Sequence, residues 1–491
     1  MCNSKTYIVV VALLGAMFFS FAENTGIDKK YQIQQVVYDI KGSTREYPLS
    51  MAVNIDKATV FQTRESLEAY IQDLTIQFNN LRVLESVDIE TEFQNEIDDI
   101  IPVTLIIHTK DTWNFIFVPG YPKYDSNSGF QFKLKLKDFN FFGSMETMSS
   151  DFVYAMNRDG QSVFSTNIDF SIPFQVFSRD FEFAVNSSIE FPCGEVPEFA
   201  FETNLEYIIP SKLVDVHMGL KQKLVLNGRD DDDNIYVGDE HFVNETAYIN
   251  MPFVLGHFNF FDELLWTPSF SCSTNCAYDG IQNDDLKGPD LSVGHALSFG
   301  RVDWHENFRK GFTVSLSNTY SYDLYFYKPG ISIGTTLEAY EHIGHFFGIY
   351  SRLTGFYNFL NSQNDSIGSY LRGILNNDVS SDTAFVLNLD MPIRFVKIDF
   401  DKFTQIKWIQ YLSFEMQASP FIDIALIHDE TTNTYYAPSD GWYAGGLEIL
   451  VFPQKMRSVY IRGSLGFNLE NLIELHDFSS PELYIGVGLF Y

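Results

Sequence analysis

Basic residues are scarce in this chain: 33 Lys and Arg stand against 64 Asp and Glu in 491 residues, a formal charge of −31. Phosphate recognition depends on Lys and Arg, so nucleic acid is excluded as a partner class. The acidic excess suits a surface on a cell exterior or the lining of a wet lumen, and it names no ligand. Long apolar runs are missing as well. After residue 22 nothing approaches the roughly 20 consecutive apolar residues that a spanning helix needs, which excludes a helical membrane protein. Only four cysteines occur. Cys2 lies in the leader described below, which leaves the odd set Cys193, Cys272 and Cys276. Cys272 and Cys276 sit in the turn-like segment FSCSTNCAYDG, where an oxidising compartment permits a small disulfide loop. They are the disulfide candidates, with free thiols as the alternative, and the absence of nearby His or further Cys argues against zinc.

What is present is a leader and a large aromatic load. Lys5 precedes an apolar stretch from Tyr7 to Phe21 that ends in Ser20-Phe21-Ala22. This is the pattern of a secretory signal, and the mature chain is expected to begin near Glu23. Cys2 lacks a lipobox-like context, so no lipoprotein is read. Aromatic residues are 16% of the chain, with 47 Phe and 27 Tyr, yet mean hydropathy is only −0.08. Apolar and polar residues that take turns produce that combination. A membrane β-barrel requires it, because one face of each strand meets lipid and the other meets water.

Residues 23–111 read as a small α+β unit. Leu67, Tyr70, Ile71, Leu74, Phe78 and Leu81 recur at helical spacing behind the plausible N-cap Thr63. Strand-like stretches flank this helix at 31–40 and 87–92, then at Val103, Leu105 and Ile107. From 112 to 491 the pattern changes to short strands between turn clusters, clearest where Phe130, Phe132, Leu134 and Leu136 alternate with Gln131, Lys133, Lys135 and Lys137. F-N-F-F punctuation at Phe139–Phe142 and Phe258–Phe261 fits interfacial girdles. The length allows an antiparallel transmembrane barrel of about 16 strands. Leu483, Ile485, Val487, Leu489 and the terminal Tyr491 alternate to the last residue. A soluble sandwich has no reason to end so, whereas a final barrel strand faces lipid and presents a C-terminal assembly signal.

The chemistry-bearing feature is the long loop 358–382. Its centre, Leu371-Arg372-Gly373, sets an arginine between apolar neighbours within a polar loop, as expected of a segment folded back into an enclosed space. Such a charge needs a partner. Between 412 and 426 one parity is apolar, so the other parity, which includes Asp423, faces the lumen. Glu448 is the second candidate by the same argument. These residues resemble a known family. Leu371-Arg372-Gly373 is similar to the V/I-R-G-F/Y loop motif of the BamA, TamA and two-partner-secretion superfamily, and Leu387–Ile393 looks like that family's strand after the loop. Phe421-Ile422-Asp423-Ile424-Ala425 is similar to its F-x-D-x-G strand, and five strands follow the loop, as the resemblance requires. Asn80–Val87 resembles the end of a POTRA domain's second helix, and Lys137–Gly143 the early barrel punctuation. Ile374 stands where the family has an aromatic residue and Ala425 where it has Gly. A single POTRA-like unit favours a specialised relative over the central insertase.

The resemblance implies that Arg372 locks an inward loop to Asp423, that clients are polypeptides, and that periplasmic accessory proteins take part. It places the barrel in a bacterial outer membrane. A second expectation concerns the seam between first and last strands. Pro119 and Pro122 lack ladder amides, and Gly486 and Gly488 weaken the opposite edge, so closure there is weak; the alternative places the prolines in a periplasmic lead-in. Other signals are set aside. Gly330–Gly334 fits G-x-S-x-G but lies in strand-like alternation without an elbow. Asp230–Asp233 lacks an EF-hand spacing, and His342 with His345 point to opposite strand faces. No catalytic set, cofactor or metal is expected. The expected function is outer-membrane protein insertion or polypeptide translocation, the alternative a passive channel or surface antigen.

Overall fold

The computed structural model describes residues 29–125, 129–156, 162–211, 214–229, 235–258, 262–360, 365–374, 379–429, 432–473 and 481–488. The leader, Asp230–Asp233, Leu489 and Tyr491 lie outside them. The chain divides into two compact units. One holds the residues up to Val37 with Asp56–Asp73 and Glu90–Ile106; the other holds Tyr38–Ile55, Leu74–Ile89 and Ile107–Tyr491. The small sheet's last strand ends at Asp111 and the first barrel strand begins at Phe115, while the compact units divide the chain at other points.

The amino-terminal elements run β1 (Lys30–Lys41), α1 (Glu46–Ala52), β2 (Val60–Phe61), α2 (Arg64–Asn80), β3 (Leu84–Phe93) and β4 (Ile100–Asp111). The sheet order is β2-β1-β4-β3. Helical spacing decides the face that α2 buries: Leu67, Leu74 and Phe78 are fully buried. Thr63 Oγ1 accepts a hydrogen bond from Ser66 N at 3.1 Å, so the first turn is capped.

From Phe115 onward the strands form one antiparallel ring, in which the last strand, Glu482–Val487, pairs with the first, Phe115–Asp125. Two strands are interrupted. Pro252 separates His241–Asn250 from Phe253–Phe258, and Pro392 separates Thr383–Asp390 from Ile393–Ile398, since proline offers no ladder amide. With each interrupted pair taken as one strand and the two-residue Thr434–Tyr435 set aside, eighteen strands close the ring among the described residues. The expectation was about sixteen. The difference comes from tight turns that composition does not mark, such as Phe177-Ser178, where φ values of 51° and 58° give a mirror-image hairpin turn built without glycine.

Alternation sets the two faces of the wall. In Phe414–Asp429, Glu415, Gln417, Ser419 and Asp423 are at most 1% exposed while Ile422 is 45% exposed. Leu483 and Ile485 of the last strand are likewise exposed on the outer face. The wall is thus apolar outside and polar inside, as a lipid-facing ring demands.

Some expectations are corrected. Cys272 and Cys276 do not sit in a turn but in the strand Asp262–Cys276, and both are free, as is Cys193. Four residues along one strand separate them by roughly 13 Å, beyond disulfide reach. Pro119 and Pro122 lie within the first barrel strand rather than in a lead-in, and the register shifts between Val118 and Tyr121. His342 is the last residue but one of the strand Lys328–Ile343, and His345 lies in the turn after it, so the two do not share a strand.

Candidate functional site

The loop between Phe347–Phe359 and Thr383–Asp390 is pinched at its base by a two-residue ladder, Asp365–Ser366 against Ser380–Ser381. Above the pinch the chain turns inward because the lumen offers it a dry seat. Ile367, Leu371, Ile374 and Val379 are buried against Ala384, Val386, Ala425, Ile427 and Ala444 of the wall. Small side chains at 384, 425 and 444 leave room on the inner face, and the apolar loop residues fill it.

This packing carries Arg372 into a set of carboxylates. Its Nε donates to Asp423 Oδ2 at 2.9 Å and its Nη2 to Asp423 Oδ1 at 2.7 Å, a bidentate fork. Nη1 and Nη2 donate to the two oxygens of Asp390 at 2.7 and 3.3 Å. The Arg372 main-chain N–H also donates to Asp423 Oδ2, at 2.8 Å. The guanidinium carbon stands 3.8 Å from the centroid of the Phe421 ring. Glu448 Oε2 is 3.6 Å from Arg372 Nη1 and 3.5 Å from Arg462 Nη1. Arg372 is 4% exposed and Asp423 0%. Charges so poorly solvated persist only when they are paired and hydrogen-bonded.

Gly373 completes the seat. Its φ is 88°, and a Cβ there would stand 2.4 Å from Phe467 N. A Cβ at Gly466 would meet Gly373 N at 2.7 Å, so the loop and the strand Ile461–Asn468 touch backbone to backbone. Gly373 N donates to Glu482 Oε2 at 2.6 Å, and Asn388 Nδ2 donates to Tyr370 O at 2.8 Å.

The structure thus brings Arg372, Gly373, Asp423 and Glu448 together. Sequence reasoning missed Asp390, Phe421, Glu482 and Gly466 as members of the site. Parity held a signal for two of them: Asp390 shares the inner face with Asn388, and Phe421 shares it with Asp423. Nothing local marks Glu482 or Gly466. The seam residues lie elsewhere on the wall: Gly486 pairs with Arg462, and Gly488, with φ 115°, donates its N–H to Tyr460 O at 3.0 Å. Of the C-terminal stripe, Leu483, Ile485 and Val487 fall in the last strand. Among the described residues no group of three or more His, Cys, Asp or Glu is placed to hold a metal ion; the carboxylates gathered here face guanidinium groups.

A second arginine is buried beyond the end of α2. Arg82, at φ 56°, donates to Arg457 O at 2.6 Å, Glu306 O at 3.3 Å and Asn307 Oδ1 at 3.2 Å. Its guanidinium lies 4.2 Å from the Trp304 ring centroid. Asn80 binds the same strand end, accepting from Trp304 N at 2.9 Å and donating to Asp303 Oδ1 at 2.8 Å. Arg457 returns the contact, donating to Asn79 Oδ1, Leu84 O and Glu85 O at 3.1 to 3.3 Å. Burial, and the Arg457 guanidinium beside it, push the Arg82 guanidinium below the usual arginine range.

No family model matches the chain, and no curated protein sequence is similar to it. Solved structures are. CdiB from Escherichia coli superposes with a TM-score of 0.50 at 10% identity, over 92% of this chain and 75% of that one. CdiB from Acinetobacter baumannii gives 0.49 at 11% identity, over 94% and 74%. BamA from Haemophilus ducreyi lacking POTRA domains 1–3 gives 0.37 at 10%, over 93% and 84%. The first of these carries the comparison: the chain has the fold of an outer-membrane β-barrel.

Proposed function

We propose that this chain is a member of the BamA and two-partner-secretion superfamily that inserts or exports polypeptides at a bacterial outer membrane. Residues 23–111 act as a POTRA-like unit in the periplasm, capturing a client and handing it on, with accessory proteins as further partners. The barrel then inserts or translocates the client without covalent chemistry. The observation that carries this reading is the inward loop. A passive wall needs no segment whose buried arginine is forked onto carboxylates of the two neighbouring strands that follow it. A device that must hold one arrangement of its lumen until a client engages does need one.

In this reading Arg372 is the lock, Asp423 and Asp390 are its keepers, and Gly373 allows the approach to the strand Ile461–Asn468. The weak seam supports sideways opening between Phe115–Asp125 and Glu482–Val487. One feature weakens it: the first strand carries two prolines and a register shift between Val118 and Tyr121.

Reconstitution in liposomes tests the proposal. Full-length chain is expected to accelerate assembly or passage of a denatured barrel or secreted client, and Arg372→Ala is expected to lose that activity while the barrel remains inserted. Stable single-channel conductance with no effect on any client would establish the passive channel instead.

A further inference from the structure

The turn between Ile393–Ile398 and Phe414–Asp429 is built, yet it turns its greasy side outward. Phe400 N donates to Ser413 Oγ at 2.9 Å and Gln454 N to Ser413 O at 2.8 Å, which ties the base. Gln410 Nε2 donates to Thr404 O at 3.0 Å, which ties the tip. Asp401 pairs with Lys455 of the next turn at 2.9 Å, so the polar edge points along the rim. The apolar residues are left over: Phe403 is 78% exposed, Trp408 67%, Leu412 54%, Ile406 50% and Tyr411 48%. A single exposed aromatic needs no explanation, but five large apolar side chains within ten residues of a hydrogen-bonded turn do.

The surroundings identify the occupant. The preceding strand reaches the turn with Met391, Ile393 and Phe395 exposed on its outer face, and the following strand leaves it on the outward parity of Leu412. The turn therefore continues the outer apolar surface of the ring past the end of the ladder. In an antiparallel ring alternate turns share one end, and others at this end carry exposed aromatics too: Phe142, Phe177 and Phe346. Exposed aromatics mark turns at the opposite end as well, Tyr278 and Tyr327 among them, and aromatic bands at both rims are the signature of the two membrane–water interfaces, where an aromatic ring is stabilised with its apolar body in acyl chains and its polar atoms in the headgroups.

We propose that residues 399–413 form an interfacial lipid-binding segment, lying in the headgroup zone of the periplasmic leaflet with Trp408 as its deepest anchor. The proposal rests on the membrane-barrel reading above. A segment of this kind fixes the depth of the strand pair that carries Asp390 and Asp423, so the wall that holds Arg372 is also the wall moored to lipid.

Full-length chain in proteoliposomes containing bromine-labelled phospholipid tests it, with emission assigned by difference spectra against Trp408→Phe and Trp266→Phe. Trp266 shares the outward parity of exposed Phe270 in the strand Asp262–Cys276 and reports on the barrel itself. The expected result is that Trp408 is quenched by brominated lipid as strongly as Trp266 and is shielded from aqueous iodide. Quenching of Trp266 alone, with Trp408 open to iodide, overturns this proposal and leaves the membrane barrel standing. Quenching of neither overturns both. Phe403→Trp, which adds a signal at the same depth, serves should Trp408→Phe not fold. Loss of iodide access at Trp408 only on addition of periplasmic protein would also overturn the assignment, because the patch would then be a protein-docking surface.

Discussion

Replacing Arg372 by Ala removes four of the five hydrogen bonds that join the loop to Asp423 and Asp390, since only the main-chain donor survives. It leaves Asp423, with no exposed surface, and Asp390, at 7% exposure, without the guanidinium that joined them. Breaking a buried pair by deleting one partner costs about 3–5 kcal/mol, because the other charge stays desolvated. Against a typical total of roughly 5–15 kcal/mol, that is about a fifth or more of the stability of the fold. The cost should appear first in the loop, whose remaining hold is its apolar seat. The assay is equilibrium urea unfolding in lipid vesicles, followed by heat-modified gel mobility, with limited proteolysis of the loop in parallel. Asp423→Asn and the double variant close a cycle: the double should cost less than the sum of the singles by at least about 1 kcal/mol, because removing Asp423's charge relieves part of what Arg372→Ala creates. Relief stays incomplete, since Asp390 and Glu448 remain. Additive single costs, or an Arg372→Ala barrel within about 0.5 kcal/mol of the unaltered chain, would refute the reasoning.

Other consequences are equally direct. Gly373→Ala is expected to unseat the loop at a cost of about 1–3 kcal/mol, from its positive φ and the collision with Phe467 N, read as new protease cleavage between 360 and 382. Cysteines scanned in register along Phe115–Asp125 and Glu482–Val487 are expected to abolish client handling when oxidised and to restore it on reduction; full activity in the cross-linked state would exclude opening at this seam. Cys193, Cys272 and Cys276 are expected to take up maleimide without prior reduction in unfolded, unreduced protein, and a mass corresponding to a 272–276 disulfide would contradict the strand geometry.

Much of this was legible because the membrane imposes a period of two. Alternation in 412–426 places Asp423 on the inner face, and alternation at the carboxyl end places Leu483 and Ile485 on the outer one, since a one-residue slip would turn the apolar set into the lumen. Helical spacing placed Leu67, Leu74 and Phe78 for the same kind of reason. What the sequence hid was non-local or carried by backbone. Gly466 matters only because Gly373 is pressed against it from a distant segment. Phe177-Ser178 turns a hairpin with no glycine to announce it, and the strand count suffers accordingly. The Cys272–Cys276 spacing looked like a loop because Ser, Thr and Asn surround it, yet in a barrel those polar residues are the wet face of a strand. Tertiary context, with lumen on one side and lipid on the other, overrides the turn propensity of that composition.

Arg372 and Arg82, both buried, show how one residue type gives opposite energetics. Arg372 is met by carboxylates, and its removal strands them. Arg82 is met by two main-chain carbonyls, the Asn307 side-chain oxygen and the Trp304 ring, with a second guanidinium nearby. Its burial cost is offset chiefly by neutral groups, with the Glu415 carboxylate a smaller influence and no carboxylate among those hydrogen-bond partners. Replacing a buried ion by an apolar residue of similar volume is often neutral or stabilising where no opposite charge is abandoned. Arg82→Met is therefore expected to change stability by no more than about 1 kcal/mol in either direction, with its acceptors taken up by water at the turn, while Arg372→Met is expected to lose about 3–5 kcal/mol. Both can be read as shifts in urea midpoint at unchanged slope. The contacts at Asn79–Glu85 then constitute a joint that yields at little cost, whereas the loop is held firmly. Equal losses from the two methionine variants would show that the neutral acceptors around Arg82 hold it as strongly as the carboxylates hold Arg372, and the distinction between yielding joint and firm lock would fail.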